Sequence, residues 1–339
     1  MAESMNAGGS NSYFKNPSRA QSMMDILEKE FGVSDAKLTR AIAALGEAVA
    51  ECAHLLSNAF HVSKAGSQNL SGDDQLQLDI DCDNACFSSI RQSNIYSIAA
   101  SEETPVETSI NEEEGVFSCA FDPLDGSSII DANFAIGGIF GIWPGKGIIG
   151  KTGRDQICSA ISVYGPRTTF LVGLTPKARR GSSESESVVL ECTLANDKSN
   201  WVLSSNSIQL QEFGKIFAPG NLRASNDNPK YNSLIQYWIN NRYTLRYTGG
   251  MVPDVYHIFA KRKGVFANVS SEKAKAKLRL VYEVNPVGLL VELAGGKAIV
   301  EGEDKCVLDL KMEDLDQRSG VCFGSRGEVE KYIDFMFKD

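Results

Sequence analysis

Val116-Phe117-Ser118-Cys119-Ala120-Phe121-Asp122-Pro123-Leu124-Asp125-Gly126-Ser127-Ser128 carries an apolar run into two carboxylates three residues apart, then into a Gly-Ser-Ser turn. Pro and Gly interrupt apolar strands, so the pattern places Asp122 and Asp125 at a strand's mouth. Two carboxylates at ~4 Å repel by roughly 4 kcal/mol at an effective dielectric of ~20. A cation between them turns the repulsion into a binding site, and oxygen-only ligands favour Mg²⁺, Mn²⁺ or Ca²⁺. The N–H groups of Gly126, Ser127 and Ser128 then suit a phosphate, provided a helix starts there. A surface Asx turn with no ligand is the competing reading of these residues taken alone.

Outward from this segment, a length of 339 residues accommodates two domains. A composition of 42% hydrophobic and 23% charged residues is that of a soluble globular protein. The net charge of −9 argues against nucleic acid or an anionic membrane as partner, and leaves a small molecule. No apolar stretch reaches the ~18 residues of a membrane span. The first twenty residues lack the basic-then-apolar order of a secretory signal and read as a disordered arm. Cysteines at 52, 82, 86, 119, 158, 192, 306 and 322 make neither a disulfide framework nor a Cys-x-x-Cys zinc pair. A reducing, cytoplasmic location fits them, with a plastid and a transit peptide absent from this chain as the alternative. Cys82 and Cys86 share a face if their segment is helical, and read as two half-buried thiols.

Helical periodicity covers 35–60, with apolar residues at 38, 42, 45, 49 and 52 or 53, and a second helix is expected over 76–92. Apolar runs at 116–121, 134–143, 168–174, 187–194, 265–269 and 279–282 read as buried strands. The polar Gly181–Ser187 stretch reads as a hairpin tip. Asn196–Asn200 is the expected boundary between an N-terminal metal- and phosphate-binding domain (21–198) and a C-terminal substrate domain (199–339). Further helices are expected over 230–242, 252–262 and 286–294. Interleaved strands and helices point to a layered α/β or α+β fold.

Few of the possible catalytic devices find support. The three histidines, His54, His61 and His257, read as ordinary surface or core residues, and no Gly-x-Ser-x-Gly elbow is present. Gly145-Lys146-Gly147-Ile148-Ile149-Gly150-Lys151-Thr152 matches the phosphate loop of nucleotide hydrolases, but Trp143-Pro144 before it and Gly153 after it weaken both flanks. Asp79-Ile80-Asp81-Cys82-Asp83-Asn84 begins like an EF-hand and fails, with Asn84 at the required glycine and Ile90 at the required glutamate. Acidic clusters are more informative. Gly72-Asp73 through Asp79, Ser101-Glu102-Glu103 and Tyr282-Glu283 each adjoin an apolar segment or turn able to deliver them to one cleft. Together with Asp122 and Asp125 they favour a multi-metal site. Such a site suits phosphoryl transfer to water, where metals clamp phosphate oxygens and steady the leaving alkoxide.

In order and spacing, Gly72-Asp73, Ser101-Glu102-Glu103, Phe121-Asp122-Pro123-Leu124-Asp125-Gly126-Ser127-Ser128 and Lys277-Leu278-Arg279-Leu280-Val281-Tyr282-Glu283 resemble the fructose-1,6-bisphosphatase family over roughly residues 35–335. The resemblance implies an α/β/α/β/α layered sandwich of the sugar phosphatase type. Ile129, the segment Tyr243–Asp254 and the stretch Phe266–Lys277 look closest to the sedoheptulose-1,7-bisphosphatase branch. By resemblance, Asp73, Glu102, Asp122, Asp125, Glu283 and the Leu124 carbonyl would hold two or three Mg²⁺ ions, with Mn²⁺ as a substitute. Asp79, Glu103 and Asp73 would act on the attacking water, and Gly126, Ser127 and Ser128 would hold the transferred phosphate. Asn221, Arg223, Tyr247 and Lys277 would hold the sugar and its distal phosphate, and Arg246 would cross the interface of a homodimer. Two features depart from relatives: residues 53–81 lack the redox cysteine pair of plastid members, and Val116-Phe117 replace the Lys-Tyr of AMP-regulated members, although Thr39 matches one AMP contact.

The expected reaction is therefore Mg²⁺-dependent hydrolysis of the 1-phosphate of sedoheptulose 1,7-bisphosphate, in the Calvin cycle or a non-photosynthetic carbon-shuttling route. Alternatives are a fructose-1,6-bisphosphatase or dual-specificity enzyme and, more remotely, a non-catalytic sugar-phosphate-binding module or a phosphate-loop nucleotide enzyme.

Overall fold

Asp35 starts the first long helix, its carboxylate accepting from the N–H groups of Lys37 and Leu38 at 2.9 and 3.2 Å. In the computed structural model, which describes residues 20–68, 74–178 and 188–338, this helix spans Ala36–Ser57. The residues that set its period, Leu38, Ile42, Leu45, Val49 and Cys52, are all buried. They pack against the second helix, Gln77–Ser93, which stops where Asn94 takes a left-handed conformation at φ +54°.

Both helices cover one face of an eight-stranded sheet. Its order is Trp201–Ser205, Val188–Leu194, Thr168–Leu174, Cys158–Tyr164, Ile136–Pro144, Phe117–Asp125, Tyr96–Ser101, Thr108–Ser109. Every neighbouring pair is antiparallel except Tyr96–Ser101 with Phe117–Asp125. Pleating divides the side chains. Phe117, Cys119 and Phe121 join the core under the N-terminal helices, whereas Ala120 faces the opposite core. On that second face lie the helices Met251–Lys261 and Asn285–Leu293, which also cover a five-stranded sheet. The latter runs Thr244–Leu245, Ile216–Pro219, Val265–Asn268, Val321–Gly324, Lys297–Val300. The helices Pro229–Asn240 and Arg326–Phe337 close its outer face around Phe217, Trp238 and Tyr332. The layers are therefore helix, sheet, helix, sheet, helix.

One expected strand gives way to a helical turn. The apolar run 279–282 is not a strand: Arg279 makes a single bridge to Arg318, and Leu280–Val284 form one wide π-helical turn opening the Asn285–Leu293 helix. A four-residue buried run has no period with which to tell the two apart. Asn196–Asn200 turns between two antiparallel strands of the first sheet, which continues through Ser205; the chain reaches the second sheet at Ile216. The glycine loop at 145–152 is no phosphate loop. Its strand is followed by a three-residue 3₁₀ turn, Gly153–Asp155, and Lys151 Nζ donates to the Pro144 carbonyl at 2.6 Å. The Glu107 carboxylate already accepts from the N–H groups of Ile148 and Ile149, where a nucleotide phosphate would need them. The expected hairpin tip at 181–187, residues 1–19 of the expected arm, and Gly72-Asp73 lie outside the described residues.

Candidate metal centre

In a regular strand, residues three apart face opposite sides. Asp122 pairs with Ile139 and Asp125 with Gly137, so three steps on one strand meet two on its partner. The extra residue is a β-bulge at Pro123-Leu124, and it re-aims Asp125 to the side of Asp122. Pro123 suits that place because it has no N–H to offer a ladder. The Leu124 N–H turns back to Asp122 Oδ1 at 2.9 Å.

Glu102 arrives from the neighbouring parallel strand, held by its N–H to the Phe121 carbonyl at 3.1 Å. Glu283 arrives from the π-helical turn, its carboxylate accepting from the Arg279 N–H at 2.5 Å. One carboxylate oxygen from each of Glu102, Asp122 and Glu283 lies within 4.8 Å of the others. Burial pushes Asp122 and Glu283 well above the usual carboxylate range, and the nearby Glu102 charge adds to it. Asp125 is pushed up to about 7, again chiefly by burial, although it accepts from the Val252 N–H at 2.5 Å at the start of the Met251–Lys261 helix. The countercharge is Arg279, whose side chain is only 5% exposed; it pairs with Glu102 and, at 3.0 Å, with Asp316. Acceptor-only carboxylates gathered this way, with one guanidinium against them, suit a hard divalent cation.

Asp79 and Glu103 border this cluster. Asp79 is buried and accepts from the Leu76 N–H at 2.9 Å. Burial raises it to about 7, reinforced by the charges of Glu103 and Glu102. Glu103 accepts from the Gln75 side chain at 2.6 Å. Asp83, one turn along the helix from Asp79, accepts from the Thr104 hydroxyl at 3.0 Å and is raised by burial to about 6.

Beyond Asp125 the chain turns on Gly126, at φ +89°, into a short 3₁₀ helix, Ser127–Ile129. The first N–H groups of such a turn have no acceptor inside it. A Cβ at position 126 would stand 3.2 Å from the Gly250 Cα, so the turn abuts the loop that brings Arg246 and Tyr247. Ile129 packs against Gly249 in the same contact, where an added Cβ would be 3.1 Å from its Cγ2. Asp254 accepts from the Thr248 N–H at 2.7 Å and so pins that loop. The Tyr247 hydroxyl donates to the Gly220 carbonyl at 3.0 Å, and the Arg223 charge bears on its phenol. Arg223, Arg246 and Lys277 are exposed, as the capture of a charged ligand requires. Asn221 is not: it is buried, and its amide donates to the carbonyls of Val269 and Ala274 at 2.9 and 3.0 Å. It braces the lysine-bearing segment that leads to Lys277.

Two family models match the chain, "Fructose-1-6-bisphosphatase, N-terminal domain" over residues 23–180 and the corresponding C-terminal domain over 210–337. The chain belongs to the fructose-1,6-bisphosphatase family. Among its members, the chloroplastic sedoheptulose-1,7-bisphosphatase of Spinacia oleracea is 44% identical over 314 residues, covering 92% of this chain and 76% of the relative. The class 1 fructose-1,6-bisphosphatase of Trichlorobacter lovleyi is 34% identical over 295 residues, 85% of this chain and 88% of the relative. A Toxoplasma gondii crystal structure assigned to the sedoheptulose-1,7 bisphosphatases superposes with a TM-score of 0.84 at 38% identity, over 93% and 98% of the two chains. Holo fructose-1,6-bisphosphatase from Leishmania major gives 0.81 at 25% identity, over 94% and 99%.

Sequence reasoning about this fructose-1,6-bisphosphatase family member passed over Arg279 and Asp83. A lone arginine inside the apolar run Leu278–Val281 was the available signal for the first, since a buried guanidinium needs a carboxylate. Asp83 was dismissed along with the failed EF-hand, although two carboxylates one helical turn apart share a face.

Proposed function

We propose that the chain is a sugar-bisphosphate phosphatase that hydrolyses the 1-phosphate of sedoheptulose 1,7-bisphosphate, giving sedoheptulose 7-phosphate and phosphate. The observation that carries this reading is the convergence of Glu102, Asp122 and Glu283 within 4.8 Å, beside a glycine-serine turn, in a chain 44% identical to a sedoheptulose-1,7-bisphosphatase. Asp122, Glu283, Glu102, Asp125, the Leu124 carbonyl and Asp73 would hold Mg²⁺, or Mn²⁺ in its place, as two or three ions. When bound, such ions neutralise phosphate charge and lower the pKa of a coordinated water.

The chain's own groups do the rest. The N–H groups of Gly126, Ser127 and Ser128 take the transferred phosphate, and Asp79 or Glu103 accepts the proton of the attacking water. Burial has raised Asp79 to about 7, so near neutral pH it both accepts and releases a proton readily. Arg223, Tyr247 and Lys277 take the sugar and its second phosphate, with Asn221 holding the segment that leads to Lys277. Exposed Arg246 serves the neighbouring site in a homodimer. No described helix is long and apolar enough to cross a membrane, and we assign the chain to the cytoplasm.

Class 1 fructose-1,6-bisphosphatases at 34% identity supply the second reading. Phosphate release from the seven-carbon and the six-carbon bisphosphate, each with Mg²⁺, separates the two. A higher kcat/KM for the seven-carbon sugar is expected, and preference for the six-carbon sugar overturns the assignment.

A further inference from the structure

The turn that delivers Glu102 and Glu103 is tied to the helix that delivers Asp79, and a buried acid makes the tie. Residues 101–104 close on themselves: the Ser101 N–H donates to the Thr104 carbonyl at 3.1 Å, and the Thr104 N–H to the Ser101 hydroxyl at 2.9 Å. Two further bonds join this turn to the stretch 75–83. The Gln75 side chain donates to Glu103 at 2.6 Å, and the Thr104 hydroxyl donates to Asp83 Oδ2 at 3.0 Å. They fall on either side of Asp79 in the chain.

Asp83 is a destabilising choice for such a tie. It is only 7% exposed, its Oδ1 is buried and meets no hydrogen-bond partner among the described residues, and the Glu103 charge repels it. Unmet buried acceptors are unfavourable and rare, and departures of this kind gather at functional sites. The position of Asp83 accounts for what is gained. Asp79 stands one helical turn before it, and Glu103 immediately precedes Thr104. One hydroxyl–carboxylate bond thus spans the two elements that carry both candidate acceptors of the water's proton.

We propose that Asp83 is a positioning residue: through the Thr104 hydroxyl it sets the separation of Asp79 and Glu103 across the attacking water. This role rests on the phosphatase reading of the site. Asp83 acts through Thr104 and transfers no proton itself. Displacing a reacting group by about 1 Å can slow a reaction about 10²-fold. Capture of the sugar by Arg223, Tyr247 and Lys277 belongs to other elements, so the signature of a lost tie is a lower kcat at constant KM.

Four single variants of the full-length chain test this. Thr104→Val keeps the shape and removes the donor, whereas Thr104→Ser keeps the donor. Asp83→Asn keeps an acceptor oxygen without the charge, and Asp83→Ala removes both. Thr104→Val and Asp83→Ala should each lower kcat by about tenfold or more, with KM for the seven-carbon bisphosphate within about twofold of the parent. Thr104→Ser and Asp83→Asn should stay within about threefold of the parent kcat. Combining Thr104→Val with Asp83→Ala should be no slower than either alone, because each removes the same bond. Losses that multiply, an Asp83→Asn as slow as Asp83→Ala, or a raised KM at unchanged kcat overturns the proposal. Should Asp83→Ala fail to fold, the two Thr104 variants decide. A parent that hydrolyses neither the seven- nor the six-carbon bisphosphate overturns the phosphatase reading instead, and the tie is then read without substrate. Hydrogen exchange followed by mass spectrometry should show the 101–105 amides opening faster in Thr104→Val than in the parent or Thr104→Ser. Equal exchange in all three overturns the tie.

Discussion

Asp122 is buried among Glu102, Asp125 and Glu283, and nothing but a cation makes that arrangement useful. Replacing it by Asn keeps the shape and removes one charge. Turnover should fall by about 10²-fold or more, the scale seen when one group stabilising developing charge is lost, with the circular dichroism of the fold intact. Arg279 poses the opposite problem. Its guanidinium is held by Glu102 and Asp316, and Arg279→Met leaves Glu102 without its buried partner. Metal-free protein should lose roughly 3 kcal/mol of stability, and added Mg²⁺ should recover more of it than in the parent. Chemical denaturation with EDTA and with Mg²⁺ reads both, and equal Mg²⁺ effects in parent and variant would contradict the electrostatic account. At this scale the sequence showed the acids but not their partners. Asp122 and Asp125 announce themselves by spacing, whereas Arg279 meets Glu102 across 177 positions, a contact no local pattern encodes.

Among the elements, the Ile136–Pro144 and Phe117–Asp125 strands were readable because helices cover both faces of their sheet. Their residues are almost all buried, so they are apolar without alternation. The π-helical turn at Leu280–Val284 was not readable, because one turn has no period to read. It matters more than its length suggests, since it delivers Glu283. The segment from Asn268 to Lys277 depends on Asn221 in the same way. Asn221→Ala strips the donors from the carbonyls of Val269 and Ala274 and should loosen that segment. An unmet buried acceptor costs about 1–3 kcal/mol. KM for the bisphosphate should therefore rise by about tenfold with kcat little changed. Steady-state kinetics decide it: an unchanged KM would remove Asn221 from substrate capture altogether.

For the whole molecule, the buried carboxylates couple stability to pH. Asp79 and Asp125 are raised from 3.8 to about 7 and Asp83 to about 6, each chiefly by burial. A carboxyl whose pKa is higher folded than unfolded binds its proton more tightly when folded. Its contribution is complete below the unfolded value and is lost as pH rises through the folded one. Metal-free protein should accordingly lose stability between about pH 4 and pH 7. Cation binding needs the ionised acids, so Mg²⁺ affinity should climb over the same window. Melting in EDTA and in Mg²⁺ at about pH 5 and about pH 8 tests both signs; a metal-free form that melts higher at the alkaline end would refute the assignment. The layered architecture was legible as a whole because strands and helices alternate along the chain. The passage between sheets was not, since the turn at Asn196–Asn200 is as polar as any linker and yet stays inside one sheet.

The bulge at Pro123-Leu124 makes the number of residues between the two aspartates as consequential as their identity. Inserting one residue beside Gly138 in the facing strand would leave both acids in place, give the bulged residue a partner, restore an unbroken ladder and send Asp125 through to the far side of the sheet. Insertions and deletions in this strand should thus be rejected more severely than most single substitutions, so the family's reaction is guarded by a ruler of fixed length.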